Sequence, residues 1–160
     1  MSNTQSMCTS FMGELMTATH NFGPAPIRAA STADTFKAAL YLTTATVNAS
    51  TTAYSATGEV SSSGTNYTAG GVTVTNATAP TATNSSATAG VAFWTPSASI
   101  TYSNVTLTTA FDAMLVYNST QSNKAVSVHT FGAQTITAGT FTLTMPSNTT
   151  STALLRLATT

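Results

Sequence analysis

Thr140-Phe141-Thr142-Leu143-Thr144-Met145 sets threonine on every even position and a large apolar side chain on every odd one. Side chains along an extended strand alternate between faces, so this run predicts a strand with one apolar and one hydroxylated face. Threonine is β-branched: it favours the pleated conformation and still offers water a hydroxyl. Outward from this run the same period recurs. Phe111, Ala113, Leu115 and Tyr117 alternate with Asp112, Met114, Val116 and Asn118. Phe36, Ala38, Leu40 and Leu42 alternate with Lys37, Ala39, Tyr41 and Thr43, which predicts a half-buried strand. Shorter runs are Gly58-Glu59-Val60, Val72-Thr73-Val74-Thr75, Val91-Ala92-Phe93-Trp94, Ile100 with Tyr102, Val105 with Leu107, Ala125 to Phe131, and Leu154-Leu155 with Leu157. Ala69-Gly70-Gly71, residues 118–123 and Ala138-Gly139 are turn signals. About seven to nine short strands with frequent turns predict an all-β fold, an antiparallel β-sandwich or jelly roll.

The amino-terminal part follows a different period. Residues 1–8 read as a flexible arm. Ser10 is placed to N-cap a short helix from Phe11 to about Thr19, on which Phe11, Leu15 and Ala18 share a face flanked by Met12 and Met16. Asn21-Phe22-Gly23-Pro24 is the stop signal, and residues 23–34 read as a loop. The expected organisation is an N-terminal arm and short helix over 1–34 and a β-sandwich domain over 35–160. The change of period near Phe36 marks the helix as an appendage that the β-domain can lose and still fold. Residues 76–90, rich in Ala, Thr, Asn and Ser, read as a surface loop.

Composition narrows the function. Only 5% of residues are charged, net charge is zero, and about a quarter of the chain is threonine; a typical soluble domain is about 25% charged. There is no basic footprint for a nucleic acid and no run of about 18 apolar residues for a membrane helix. The N-terminus lacks the basic and continuous apolar regions of a signal peptide. Cys8 is the single cysteine, and no Lys or Arg lies near it to activate a thiol. The seven Asn-x-Ser/Thr triplets are what chance gives in a chain of this composition.

Reactive groups are few. His20 and His129 stand apart, with no metal-ligand spacing and no nucleophile elbow. His129 is expected on the strand face opposite Val126 and Val128, turned to solvent or an interface. His20 follows the helix, where a cation suits the dipole. Glu14, Asp34, Glu59 and Asp112 fall in different elements, whereas a glycosidase needs two neighbouring carboxylates. No catalytic residue, cofactor or metal is expected. Trp94 with Tyr102 is the pair that could form a glycan-binding face, although aromatic residues at such positions usually pack in cores.

Several segments together resemble a recurring family of tailed-bacteriophage virion proteins. They are Ser10-Phe11-Met12-Gly13-Glu14-Leu15 with His20-Asn21-Phe22, Asp34-Thr35-Phe36-Lys37-Ala38-Ala39-Leu40-Tyr41 and Thr51-Thr52-Ala53-Tyr54. Further along come Gly58-Glu59-Val60, Gly64-Thr65-Asn66-Tyr67-Thr68-Ala69-Gly70-Gly71 and Phe111-Asp112-Ala113-Met114-Leu115-Val116-Tyr117-Asn118-Ser119. Ala138-Gly139-Thr140-Phe141-Thr142-Leu143-Thr144-Met145-Pro146 and Ala153-Leu154-Leu155-Arg156-Leu157-Ala158 complete the set. The resemblance spans nearly the whole chain. It departs at Met12 and Gly13, where members often carry Lys, and in the Thr/Ala tract 75–89. It implies a structural virion protein, first a capsid decoration (cement) protein and second a tail or fibre component that binds a host surface glycan. On the first reading the partners are the major capsid protein and copies of the chain itself, as a homotrimer. The place is the capsid surface of the virion, after assembly in the host cytoplasm. Phe11, Leu15 and Phe22 are the expected contacts to the capsid or a neighbouring subunit. So few charges should make binding insensitive to salt.

Overall fold

The computed structural model describes residues 2–16, 18–22, 33–75, 79–83 and 90–158. The elements in chain order are β1 (Ser6–Met7), α1 (Thr9–Met16), β2 (Phe36–Leu42), β3 (Val72–Thr73), β4 (Thr81–Ala82), β5 (Val91–Trp94), β6 (Ile100–Asn118), β7 (Lys124–Leu143) and β8 (Leu155–Ala158). They form two antiparallel sheets, one of order β1-β7-β6-β2-β3 and one of order β4-β5-β8. Among the described residues the fold is all-β with one short helix, as the two-residue period predicts.

The long hairpin β6–β7 dominates. Sequence reading divides it into several short strands, because the alternation slips at Asn104, at residues 108–110 and at Ala138-Gly139. Each slip is a bulge. The register between β6 and β7 shifts between Tyr102 and Val105, between Val105 and Leu107, between Leu107 and Phe111 and between Phe111 and Ala113. Asn104 and Ala138 take left-handed backbone conformations, φ 52° and 46°. An extra residue bends a strand without ending it, and on β7 it also blunts a sheet edge that β1 covers only at Ser127 and Val128. Phe111, Phe131 and Phe141 pack their rings at 5.1–5.9 Å along the distal part of the hairpin.

The arm expected to be flexible is part of the large sheet. Ser6 and Met7 pair with Val128 and Ser127. The Thr4 N–H donates to Val47 O at 3.0 Å, and the Asn3 amide bonds Leu42 O and Asp112. A two-residue strand shows no alternation, so the sequence hid it. The helix starts at Thr9 because the sheet delivers the chain there: Cys8 N–H bonds Val126 O, and Thr9 N–H bonds Ala49 O. Ser10 is therefore inside the helix and does not cap it. The stop is a Schellman turn: Ala18 is left-handed (φ 52°), Thr19 N–H bonds Glu14 O, and Ala18 N–H bonds Leu15 O. Gly23 and Pro24 lie outside the described residues. Cys8, Phe11 and Phe22 share one core with the strands, so the helix is a wall of the body and not an appendage.

β2 is buried on both faces rather than one. The long connection after it folds back over the sheet and is fastened by Glu59. One carboxylate oxygen accepts from Tyr67 Oη and from Gly70 N–H, and the other from Tyr54 Oη, all at 2.7 Å. Tyr117 donates to Gly70 O, Tyr102 to Ala38 O and Tyr41 to Ser55 O. Every tyrosine of the chain thus ties its hydroxyl to a carboxylate or a carbonyl, and burial raises the pKa of all of them.

Candidate functional site

Phe11, Leu15 and Phe22 do come together. They form one wall of an apolar cleft of about 110 Å³, and Phe93, Trp94 and Leu157 of the small sheet form the other. Leu15 sits one helical turn after Phe11, so both face the same way. Phe22 lies against Phe36 (4.4 Å between centroids) and Trp94 (4.8 Å), which holds the chain after the helix down on the core. The cleft is smaller than an engineered cavity that admits benzene, about 150 Å³, and has room for one branched aliphatic side chain. Phe11 and Phe22 are themselves buried, so a visitor meets their edges, while Leu157 on the rim is 41% exposed. Sequence reading identified the first wall from its spacing and missed the second, which comes from a different sheet.

The pair considered for a glycan face is not on the surface. Trp94 and Tyr102 are both buried, and the Tyr102 hydroxyl is bonded to Ala38 O. Burial, with a smaller contribution from Glu14, pushes the Cys8 thiol up to about 11, so it is a small buried side chain and not a nucleophile.

Among the described residues, the polar cluster with most charge in it lies where α1 meets the end of the β6–β7 hairpin. Glu14 accepts from Lys124 Nζ at 2.6 Å and lies 2.7 Å from His20 Nε2. Burial pushes the Glu14 carboxyl up. The hydrogen bonds from Lys124 and His20 and their charge outweigh it, and the net direction is down. Asn118 joins His20 to Asp34, with Nδ2 at 3.0 Å from His20 Nδ1 and 2.8 Å from Asp34 Oδ2. Asp34 also accepts from Asn21 N–H and Gln121 Nε2. His20 is therefore a buried link between helix and sheet rather than a solvated cation at a helix end. Burial lowers its pKa against the pull of both carboxylates. His129 is half-buried, 2.9 Å from Ser127 Oγ, and burial pushes it down to about 4.

These clusters fasten elements together. The described residues contain no group of three or more His, Cys, Asp or Glu side chains placed to hold a metal. No described helix is long and apolar enough to cross a membrane. No family model, curated protein or solved structure matches the chain.

Proposed function

We propose that the chain is a capsid decoration protein, binding the major capsid protein and copies of itself, as a homotrimer, without catalysis. The observation that carries this reading is the use the fold makes of the virion-protein motifs. Gly58-Glu59-Val60 and Tyr67 with Gly70-Gly71 supply the Glu59 fastening; Glu14, His20, Asp34 and Asn118 supply the helix–sheet link. The polar groups of the motifs tie backbone and hold shape, which suits a protein whose task is a fixed contact surface. The remaining apolar feature, the cleft of Phe11, Leu15 and Phe22, is a socket for a side chain of the lattice. Repeated sockets on a multivalent trimer turn weak single contacts into stable attachment.

Co-sedimentation with tail-free heads and with isolated tails of the encoding phage tests it. The chain should pellet with heads, and Leu157→Glu, at the exposed rim of the socket, should weaken that binding about ten-fold or more while leaving the fold intact. Pelleting with tails alone would favour the tail or fibre reading instead.

A further inference from the structure

His20 is held from several sides. Its side chain is inaccessible to solvent and lies between the rings of Phe11 (4.9 Å) and Phe36 (6.3 Å). Every element packed on it contributes a polar group. Glu14 of α1 meets Nε2, Lys124 of β7 binds the other oxygen of Glu14, and Asp34, just before β2, shares with His20 the amide of Asn118 on β6. The orientation of that amide is fixed by backbone: Oδ1 accepts the N–H groups of Thr120 (3.1 Å) and Gln121 (3.2 Å). The nitrogen must then face His20 and Asp34, and both of its hydrogens are used. His20 Nδ1 is thereby an acceptor. The ring is the neutral tautomer that carries its proton on Nε2 and donates it to Glu14.

A second proton can enter only at Nδ1, where it sets N–H against N–H. Turning the amide over would restore a partner for His20. It would also break the bonds to Thr120 and Gln121 and turn a carbonyl oxygen toward the Asp34 carboxylate. We infer that His20 is an acid-operated latch: protonation at Nδ1 parts it from Asn118 and releases residues 18–22 from the β6–β7 turn, while Glu14 of α1 stays on Lys124. The release is local, because β1 and the start of the helix keep their own bonds to β7 and to Ala49. It opens the wall of the cleft at Phe22. Burial among aromatic rings places the step below the ordinary histidine range. The latch belongs to the isolated chain; only what the opened cleft binds rests on the capsid reading.

The test uses the purified full chain and no particles, so its failure leaves the capsid reading standing. Trp94, the one tryptophan, is in contact with Phe22 and reports the state of the cleft by fluorescence. Nitrogen NMR of the histidines reports tautomer and charge. The expected result is a neutral Nε2–H ring at neutral pH. On acidification, His20 protonation, a change in Trp94 emission and an about ten-fold or greater loss of amide protection over residues 18–22 should coincide. His20→Gln keeps a donor toward Glu14 and takes up no proton, so it should lose the transition; His129→Gln should keep it. A transition that persists in His20→Gln assigns the acid response to the carboxylates and overturns the latch. If His20→Gln does not fold, the wild-type spectra decide: a charged His20 ring with the protection of residues 18–22 unchanged overturns it equally.

Discussion

Gly71→Ala should be among the most damaging single-methyl additions this fold can receive. Gly71 has φ 74°, a left-handed conformation that costs an L-residue about 1 kcal/mol. The larger part is steric. A Cβ there would stand 1.6 Å from Ala38 O, 2.4 Å from its carbonyl carbon and 2.8 Å from Ala39 Cα. All are backbone atoms of a central strand and cannot turn aside as a side chain would. Relief requires β3 to back away from β2 by more than an ångström. That endangers the Lys37–Thr73 and Ala38–Val72 pairing, the Val74 N–H bond to Phe36 O at 2.8 Å, and the Gly70 contacts to Glu59 and Tyr117 next door. Losing two or three such bonds at about 1 kcal/mol each, added to the strain, gives a loss of about 4 kcal/mol. With a urea m-value of about 2 kcal/mol/M, the unfolding midpoint should fall by about 2 M. Gly64→Ala is the internal control: its φ is 68°, yet nothing lies within 4 Å of the added methyl, so only the backbone strain of about 1 kcal/mol remains. Equal midpoints for the two variants would refute the claim that close approach of backbone, and not left-handed geometry, fixes glycine at Gly71.

Three other outcomes follow from the same contacts. Glu59→Ala leaves the Tyr67 hydroxyl and Gly70 N–H without their acceptor and should lower stability by about 3 kcal/mol, whereas Glu59→Gln keeps one acceptor oxygen for those two donors and should lose about half as much; thermal unfolding measures both. Deleting residues 1–22 removes Cys8, Phe11, Phe22 and the strand that pairs with β7, so the product should be unfolded or aggregated by circular dichroism rather than a folded β-domain. Stability should fall on acidification. The folded-state pKa values of His20 and His129 lie below the unfolded value of 6.5, so between that value and about 4 the unfolded chain binds more protons; the His129 share, at most about 3 kcal/mol, is present above 6.5 and gone near 4, and His129→Gln should flatten that part of the curve.

What the sequence disclosed depended on whether the signal was periodic. Val91-Ala92-Phe93-Trp94, Phe36 to Leu42 and the last leucines appear as strands close to where alternation puts them. The joining of several short runs into β6 and β7 was hidden because Asn104 and Ala138 are not glycines, and nothing in their identity announces a left-handed bulge. Glu59 looked like an isolated carboxylate; its three partners are tyrosines and a glycine whose hydrogen-bonding geometry exists only after the connection folds back. Gly70-Gly71 reads as a plain turn, although two adjacent glycines close to Tyr67 and Glu59 also signal backbone pressed against backbone. At the cleft, the spacing of Phe11 and Leu15 disclosed one wall, and sheet packing, which has no local signature, supplied the other. The same holds for His20: its position after a helix suggests a solvated cation, while Asn118, distant in sequence, makes it a neutral acceptor.

The central proposal is attachment to a capsid shell, and cryo-electron microscopy of virions of the phage proposed to encode this chain tests it most directly. The account predicts density for the two-sheet body on the icosahedral shell, bridging capsomers, with the Phe11–Leu157 cleft turned toward the lattice. Density confined to the tail, with bare capsomers, would contradict it.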